Sequence, residues 1–147
     1  ILIIRGCGPV GYPGSAEVVN MQPPDRLLKK GINALPTLGD GRQSGTSESP
    51  SILHVSPESA VGGDLAIVKT GDKMTIDLNK RRVDLQISKS EFIKRRKKKK
   101  IKKLTNQTPW QEISRSNVGQ LEDGACIMSR DQYLDITKTK GVLRNSH

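Results

Sequence analysis

Ile1-Leu2-Ile3-Ile4-Arg5-Gly6-Cys7-Gly8-Pro9-Val10-Gly11-Tyr12-Pro13-Gly14 opens the chain, and its reading governs the rest. Four consecutive aliphatic residues make a short strand buried on both faces. The nine residues from Gly6 to Gly14 hold four glycines and two prolines, a loop built for unusual dihedrals or close backbone approach. The same order recurs further on. Leu35 to Leu38 reads as a buried strand, and Gly39-Asp40-Gly41-Arg42-Gln43-Ser44-Gly45-Thr46 follows it directly as a second glycine-rich loop. A chain that begins inside a strand is expected to be a piece of something longer.

Outward from these two units, short elements alternate with glycine and proline punctuation. Ser15 is placed to cap a short helical turn carrying Glu17 and Met21, ended by Pro23-Pro24, and Asp25 to Lys30 reads as a second helix stopped by Gly31. Ile52 to Val55 and Leu65 to Val68 read as strands, with Ser56-Pro57-Glu58 as a helix start between them. Met74, Ile76 and Leu78 alternate with polar residues, as do Val83, Leu85 and Ile87, which predicts a hairpin turning at Asn79 to Arg82 with one buried face. Ser88-Lys89-Ser90-Glu91 is a capping box opening a helix, and Asp131 to Lys140 reads as a final helix closed by Gly141. Many short strands with few helices predict a mixed α/β fold, a small barrel-like mixed sheet with flanking helices. The expected organisation is a domain over 1–93, a basic linker or helix end over 94–106, and a C-terminal extension over 107–147.

Charge is concentrated. Of 25 basic residues in 147, nine fall between Lys94 and Lys103, and the remaining 16 nearly balance 15 acidic ones. That excludes a protein basic throughout. The run reads as a solvated helix end or linker, with a nucleic-acid or localisation patch as the alternative. No aromatic residue lies inside it, so base stacking is absent and specific nucleic-acid binding is not expected. Cys7 and Cys126 have no CxxC spacing, which fits neither a disulfide framework nor a self-sufficient metal site and suits a reducing compartment. No apolar run reaches the roughly 18 residues that span a bilayer, so no membrane partner is expected.

Two side chains stand out for chemistry. Ser44 lies between flexible residues beside Asp40 and Arg42. It reads either as a turn hydroxyl that caps the next element or as an exposed hydroxyl held against a ligand. To act as a base it needs help, such as a divalent cation that stabilises its alkoxide. Glu17 is the single carboxylate in residues 1–24 and follows the first glycine-rich loop. By itself one carboxylate is a poor metal site. Neither a G-x-x-x-x-G-K-[ST] phosphate loop nor a G-x-S-x-G elbow is present. His54 reads as a strand or loop-edge residue, and His147 ends the chain.

Three stretches, Gly8-Pro9-Val10-Gly11-Tyr12-Pro13-Gly14-Ser15-Ala16-Glu17, Leu38-Gly39-Asp40-Gly41-Arg42-Gln43-Ser44-Gly45-Thr46 and Val55-Ser56-Pro57-Glu58-Ser59-Ala60-Val61-Gly62-Gly63, resemble in order and spacing the C-terminal domain of the dihydroxy-acid and phosphogluconate dehydratase family. The stretch Gln107-Thr108-Pro109-Trp110-Gln111-Glu112-Ile113 with Val118-Gly119-Gln120-Leu121 resembles its sugar-acid branch, the arabinonate and xylonate dehydratases.

The resemblance implies a swivelling β/α domain and a hydro-lyase that turns a 2,3-dihydroxy acid into a 2-keto-3-deoxy acid. It implies an iron–sulfur cluster acting on the leaving hydroxyl and a magnesium ion at the substrate carboxylate end. By motif, Ser44 becomes the base at C2, Glu17 a magnesium ligand, and Arg42 and Thr46 substrate-binding residues. Cluster cysteines and further magnesium ligands are expected on an N-terminal domain of the same enzyme, and this chain alone is expected to be catalytically incomplete. A homo-oligomer in the cytoplasm is the family's usual setting, with an organelle if a transit segment precedes. Two features depart from the family pattern, the lysine run and Glu48, four positions after Ser44, where a small residue is usual. Two other readings stay open: an inactive remnant of the family, and a basic nucleic-acid-binding module.

Overall fold

The computed structural model of the chain describes residues 1–15, 17–18, 23–43, 49–101, 104–105, 107–127 and 129–140. In chain order the elements are β1 (Leu2–Ile4), β2 (Glu17–Val18), α1 (Asp25–Leu28), β3 (Thr37–Gly39), β4 (Arg42–Gln43), β5 (Ser51–Ile52), β6 (Met74–Asp77), β7 (Arg82–Leu85), α2 (Lys89–Lys98), α3 (Pro109–Asn117) and α4 (Arg130–Lys140). Short 3-10 turns occupy Ser59–Val61, Asp64–Ile67 and Leu121–Asp123. The mixed α/β class is as expected. Among the described residues the strands form three small sheets rather than one closed barrel: parallel β1-β3-β5, parallel β2-β4 and the antiparallel hairpin β6-β7.

The parallel sheet holds the core. Leu2 pairs with Thr37, Ile4 with Gly39, and Leu38 with Ile52. Gly39 is required here, because a Cβ would stand 2.8 Å from the Cβ of Ile4. Leu38, 2% exposed, lies buried with Leu65 and Val68, and Ile3, Ile52, Val55, Met74 and Leu85 pack around them. β3 starts later than expected, at Thr37, since Pro36 has no N–H for the ladder, although its carbonyl still accepts from Leu2 N–H at 2.8 Å. β5 stops at Ile52, and His54 adopts a left-handed φ of 57° that ends the extended run.

Three expected elements are different. Leu65 to Val68 is not a strand: Asp64–Ile67 is a 3-10 turn, and the Arg5 guanidinium donates to the carbonyls of Leu65, Ala66 and Val68 at 3.3, 3.2 and 2.7 Å. Those carbonyls are satisfied without a neighbouring strand, so the apolar pattern alone misassigned them. The helical start at Ser56-Pro57-Glu58 is displaced to Ser59, because Glu58 stays extended and sends its side chain inward. Glu17 sits in a strand and not on a helix. Ser15 has a left-handed φ of 58°, and its N–H turns back to Cys7 and Gly8 carbonyls at 3.0 and 3.2 Å, so it caps nothing. Met21 lies outside the described residues.

The hairpin forms, but its turn lies earlier than expected: Asp77 pairs with Arg82, so Arg82 belongs to β7 and not to the turn, with Met74 opposite Leu85 and Ile76 opposite Val83. Only its Met74–Leu85 end reaches the core, and Val83 remains 38% exposed. Helix α2 begins at the Ser88 cap, whose Oγ accepts from Glu91 N–H at 3.2 Å. Its cations divide by role. Arg95 forms a two-pronged pair with Asp72 at 2.6 and 3.1 Å and reaches Glu91 at 2.8 Å, tying the helix to the turn before the hairpin. Arg96 pairs with Asp64 at 3.3 Å and lies over the Phe92 ring, and Lys99 donates to the Gly62 carbonyl. The remaining lysines of the helix face water.

Helix α3 went unread in the sequence pattern, although Thr108-Pro109 with Gln111 carries its signature. Thr108 and Gln111 form a reciprocal capping box with proline in the first turn. Gly141, expected to close α4, lies outside the described residues. No described helix is long and apolar enough to cross a membrane.

Candidate active site

Two carboxylates, both wholly buried, tie three loops into one body. Asp40 follows β3 and faces back on the first glycine-rich loop. Its Oδ2 accepts from Gly6 N–H at 3.0 Å, Ser59 N–H at 2.8 Å and Ser59 Oγ at 2.6 Å, and its Oδ1 accepts from Cys7 N–H at 3.1 Å. Glu58 accepts from Val10 N–H at 2.8 Å and Gly11 N–H at 2.9 Å. A buried carboxylate with no cation beside it needs such donors, since charge-assisted bonds replace the water it has lost. Gly8 lies directly against Glu58: a Cβ there would overlap its carboxylate.

Arg115 and Gln120, beyond the lysine run, grip the same loop from outside. Gln120 meets Glu58 twice, accepting from its N–H at 3.0 Å and donating to its Oε1 at 2.9 Å. Arg115 of α3 donates to the Val10 carbonyl at 2.7 Å. The Val10 peptide is therefore held at both its N–H and its C=O.

Cys7 lies inside this web. Burial pushes its thiol pKa up, and the neighbouring carboxylates of Asp40 and Glu58 push it further, so the thiol form is favoured.

Beside the knotted loops, β2 and β4 pair in parallel with Glu17 opposite Arg42 and Val18 opposite Gln43. Arg42 Nε donates to the Ser15 carbonyl at 2.7 Å, fixing the end of the first loop against the second. Glu17 is exposed, and among the described residues its carboxylate has no hydrogen-bond or ion-pair partner. The two stretches singled out in the sequence thus lie side by side. Ser44 and Thr46, as well as Glu48 and His147, lie outside the described residues. His54 is exposed at the strand edge, its N–H directed to the Gly41 carbonyl at 3.3 Å.

Residues 1–125 match the family described as dihydroxy-acid/6-phosphogluconate dehydratase C-terminal. The chain belongs to that family. The D-xylonate dehydratase of Caulobacter vibrioides is 54% identical over 136 residues, which is 92% of this chain and 23% of that protein. An L-arabinonate dehydratase of Rhizobium leguminosarum bv. trifolii is 50% identical over 65% of the chain and 16% of the relative. A dihydroxy-acid dehydratase of Thermodesulfovibrio yellowstonii is 40% identical over 86% of the chain and 23% of the relative. The dehydratase domain spans less than a quarter of the length of each of these curated relatives.

The described residues were tested against the two cofactors that the resemblance implies. They contain no group of three or more His, Cys, Asp or Glu side chains that could hold a metal. An iron–sulfur cluster takes several thiolates. Cys7, raised in pKa beside two carboxylates, is a poor thiolate ligand, so the described residues do not fit a cluster. A magnesium ion makes smaller demands, because it keeps several waters and takes one or two protein carboxylates. The exposed, unengaged Glu17 fits one such position.

Sequence reasoning missed Asp40, Glu58, Arg115 and Gln120 as residues that shape the site. For Asp40 a signal existed, a carboxylate set between Gly39 and Gly41 just after a buried strand. Gln120 falls in the Val118–Leu121 stretch that carries the sugar-acid resemblance, but nothing local names its partner, which lies 62 positions away.

Proposed function

We propose that this chain is the C-terminal portion of a hydro-lyase that dehydrates a sugar acid, a 2,3-dihydroxy acid, to a 2-keto-3-deoxy acid. Ser44 would serve as the base that takes the C2 proton, and Glu17 would be a ligand of a magnesium ion. Arg42 and Thr46 bind the substrate. The observation that carries the reading is the register of β2 and β4, which puts Glu17 directly opposite Arg42, two residues before Ser44. The names of the relatives, xylonate and arabinonate dehydratases among them, support the sugar-acid substrate.

When bound, magnesium would lower the cost of negative charge at the substrate carboxylate end and make a serine alkoxide accessible near neutral pH. The chain's own residues supply the rest. The Arg42 guanidinium, anchored through Nε on Ser15, offers positive charge beside Glu17 for an anionic substrate. The two buried carboxylates hold the first glycine-rich loop in place, which supports a fixed position for Glu17 beyond its end. An iron–sulfur cluster, in this reading, would be held by an N-terminal domain of the same enzyme and would supply a Lewis acid for the 3-hydroxyl side of the substrate. Homo-oligomeric assembly follows the family habit.

The test is a pair of variants in the assembled enzyme, assayed on pentonic and hexonic acids by 2-keto-acid formation. Ser44→Ala should lower kcat by about a thousandfold or more, the scale expected for removing a catalytic base together with its charge stabilisation. Glu17→Gln should raise the magnesium concentration needed for half-maximal rate. The isolated chain, supplied with magnesium and a reconstituted cluster, should show no turnover. Full activity of Ser44→Ala would end the reading.

A further inference from the structure

Gln120 has been given no role in the site so far, yet it connects through Glu58 to the first glycine-rich loop. Its side-chain amide forms a two-point contact with Glu58, accepting at 3.0 Å and donating at 2.9 Å. The Glu58 carboxylate in turn holds the N–H groups of Val10 and Gly11. Beyond Gly11 the loop closes on itself through Tyr12 N–H to the Gly6 carbonyl at 2.8 Å and Ser15 N–H to the Cys7 carbonyl at 3.0 Å. Ser15 is where Arg42 is anchored, two residues before Glu17.

We propose that Gln120 is a positioning residue of the site: by orienting the Glu58 carboxylate it fixes the course of the glycine-rich loop that delivers Glu17. The inference rests on the function proposed above and deepens it, since it makes the C-terminal extension part of the site's framework. Chemistry supports an amide at this position. Glu58 presents its own N–H and a carboxylate oxygen to one neighbour, so that neighbour must accept and donate at once. A carboxylate could not donate, and a lysine could not accept. The Glu58 Oε1 atom is shared between Gln120 and Val10 N–H, so losing Gln120 leaves the carboxylate free to turn away from Val10. Arg115 on the Val10 carbonyl gives the same segment a second hold on the loop.

Gln120→Ala, Gln120→Glu and the control Gln86→Ala test this in the full chain, by amide hydrogen exchange corrected for intrinsic rates. Gln86 likewise donates one side-chain hydrogen bond, to Thr75 in the exposed hairpin, and is remote from the loops in sequence. Gln120→Ala should speed exchange at Val10 and Gly11 by about tenfold, the factor for a change of 1.4 kcal/mol, while the hairpin amides stay as they are. Gln86→Ala should leave Val10 and Gly11 unchanged. Gln120→Glu supplies the readout that a purely structural role would not give. Above the carboxyl range the new side chain faces Glu58 without a proton to donate, so Val10 and Gly11 lose protection. On acidification the new carboxyl, whose proton is favoured by the facing Glu58 carboxylate, can donate again, and protection should return.

In the assembled enzyme, Gln120→Ala should lower kcat about tenfold, with the magnesium requirement raised as in Glu17→Gln. Unchanged exchange at Val10 and Gly11 in Gln120→Ala overturns the proposal, and so does a wild-type kcat. The two readings fail separately: an active Ser44→Ala enzyme refutes the assigned base whatever Gln120 does, and the exchange experiment needs no turnover.

Discussion

Removing the Asp40 carboxylate is the sharpest test of the claim that buried carboxylates hold the loops. Four donors converge on it: Gly6, Cys7 and Ser59 N–H and the Ser59 hydroxyl, at 2.6 to 3.1 Å. Asp40→Ala leaves three N–H groups, those of half-buried Gly6 and Cys7 and of buried Ser59, and the Ser59 hydroxyl without this acceptor. At about 1 kcal/mol for each orphaned group, the low end of the usual range, the loss is about 4 kcal/mol. Asp40→Asn is the finer probe. Its single carbonyl oxygen can stand at the Oδ2 position and keep three of the four bonds, but its amide then points a donor at Cys7 N–H. One lost bond and one donor facing a donor cost about 1–3 kcal/mol.

With a urea m-value of about 2 kcal/mol/M for a chain of this size, the midpoint should fall by about 2 M in Asp40→Ala and by about 1 M in Asp40→Asn. Asp64→Asn removes only the exposed pair with Arg96 and should move the midpoint by less than about 0.3 M. Circular dichroism of the full chain reads all three. Amide exchange adds the local signature, faster exchange at Cys7 in Asp40→Asn with Ser59 retained. If Asp40→Ala unfolds within about 0.3 M of the unsubstituted chain, the carboxylate does not hold the loops and the account of the site's rigidity is wrong.

Asp72 and Glu91 both have pKa values lowered chiefly by their hydrogen bonds to Arg95. Their folded values lie below the unfolded ones, so the stability they contribute is complete above about pH 4 and is lost as pH falls through the folded values. Urea midpoints measured from pH 7 to pH 3 should therefore drop more in the unsubstituted chain than in Asp72→Asn, and parallel curves would contradict the pairing. Cys7, with its pKa raised, should be alkylated slowly at neutral pH, with a pH–rate midpoint above the ordinary thiol range. Asp40→Asn removes one of the neighbouring charges and should move that midpoint down, as read by iodoacetamide labelling and mass spectrometry. Gly8→Ala places a methyl group against the Glu58 carboxylate and should destabilise by about 1–3 kcal/mol. Gly119→Ala, whose added Cβ meets only the Cys126 carbonyl at 3.5 Å, should be nearly silent by the same denaturation assay.

Much of the fold was legible because it is written in neighbouring residues. The aliphatic run at Leu2–Ile4 and the Ser88 cap rest on preferences within a few positions and appear where the pattern puts them, while the hairpin's period-two alternation gives its existence but not its register, since Arg82 pairs with Asp77. The errors have a common origin. Leu65 to Val68 carries a strand's composition, but Arg5, 60 or more positions away, satisfies its carbonyls in a tight turn. Glu17 follows a serine that looks like a cap, and its geometry is set by pairing with Arg42 instead. The α3 signal at Thr108-Pro109 with Gln111 is local too, a capping box with proline in the first turn.

By itself, then, the amino-acid order determined the family through three motifs in fixed succession, the positions of the glycine-rich loops, and the pairing of a serine with a carboxylate as the residues to watch. Only the tertiary structure decided where the buried carboxylates point. A strand or helix states its preference through dihedral and hydrophobic periodicity, which neighbouring residues encode. The destination of Asp40 or Glu58 depends instead on donors that converge from distant stretches once the core has closed. Their bonds to Ser59 and Gln120 span 19 and 62 positions, and no local pattern carries that information.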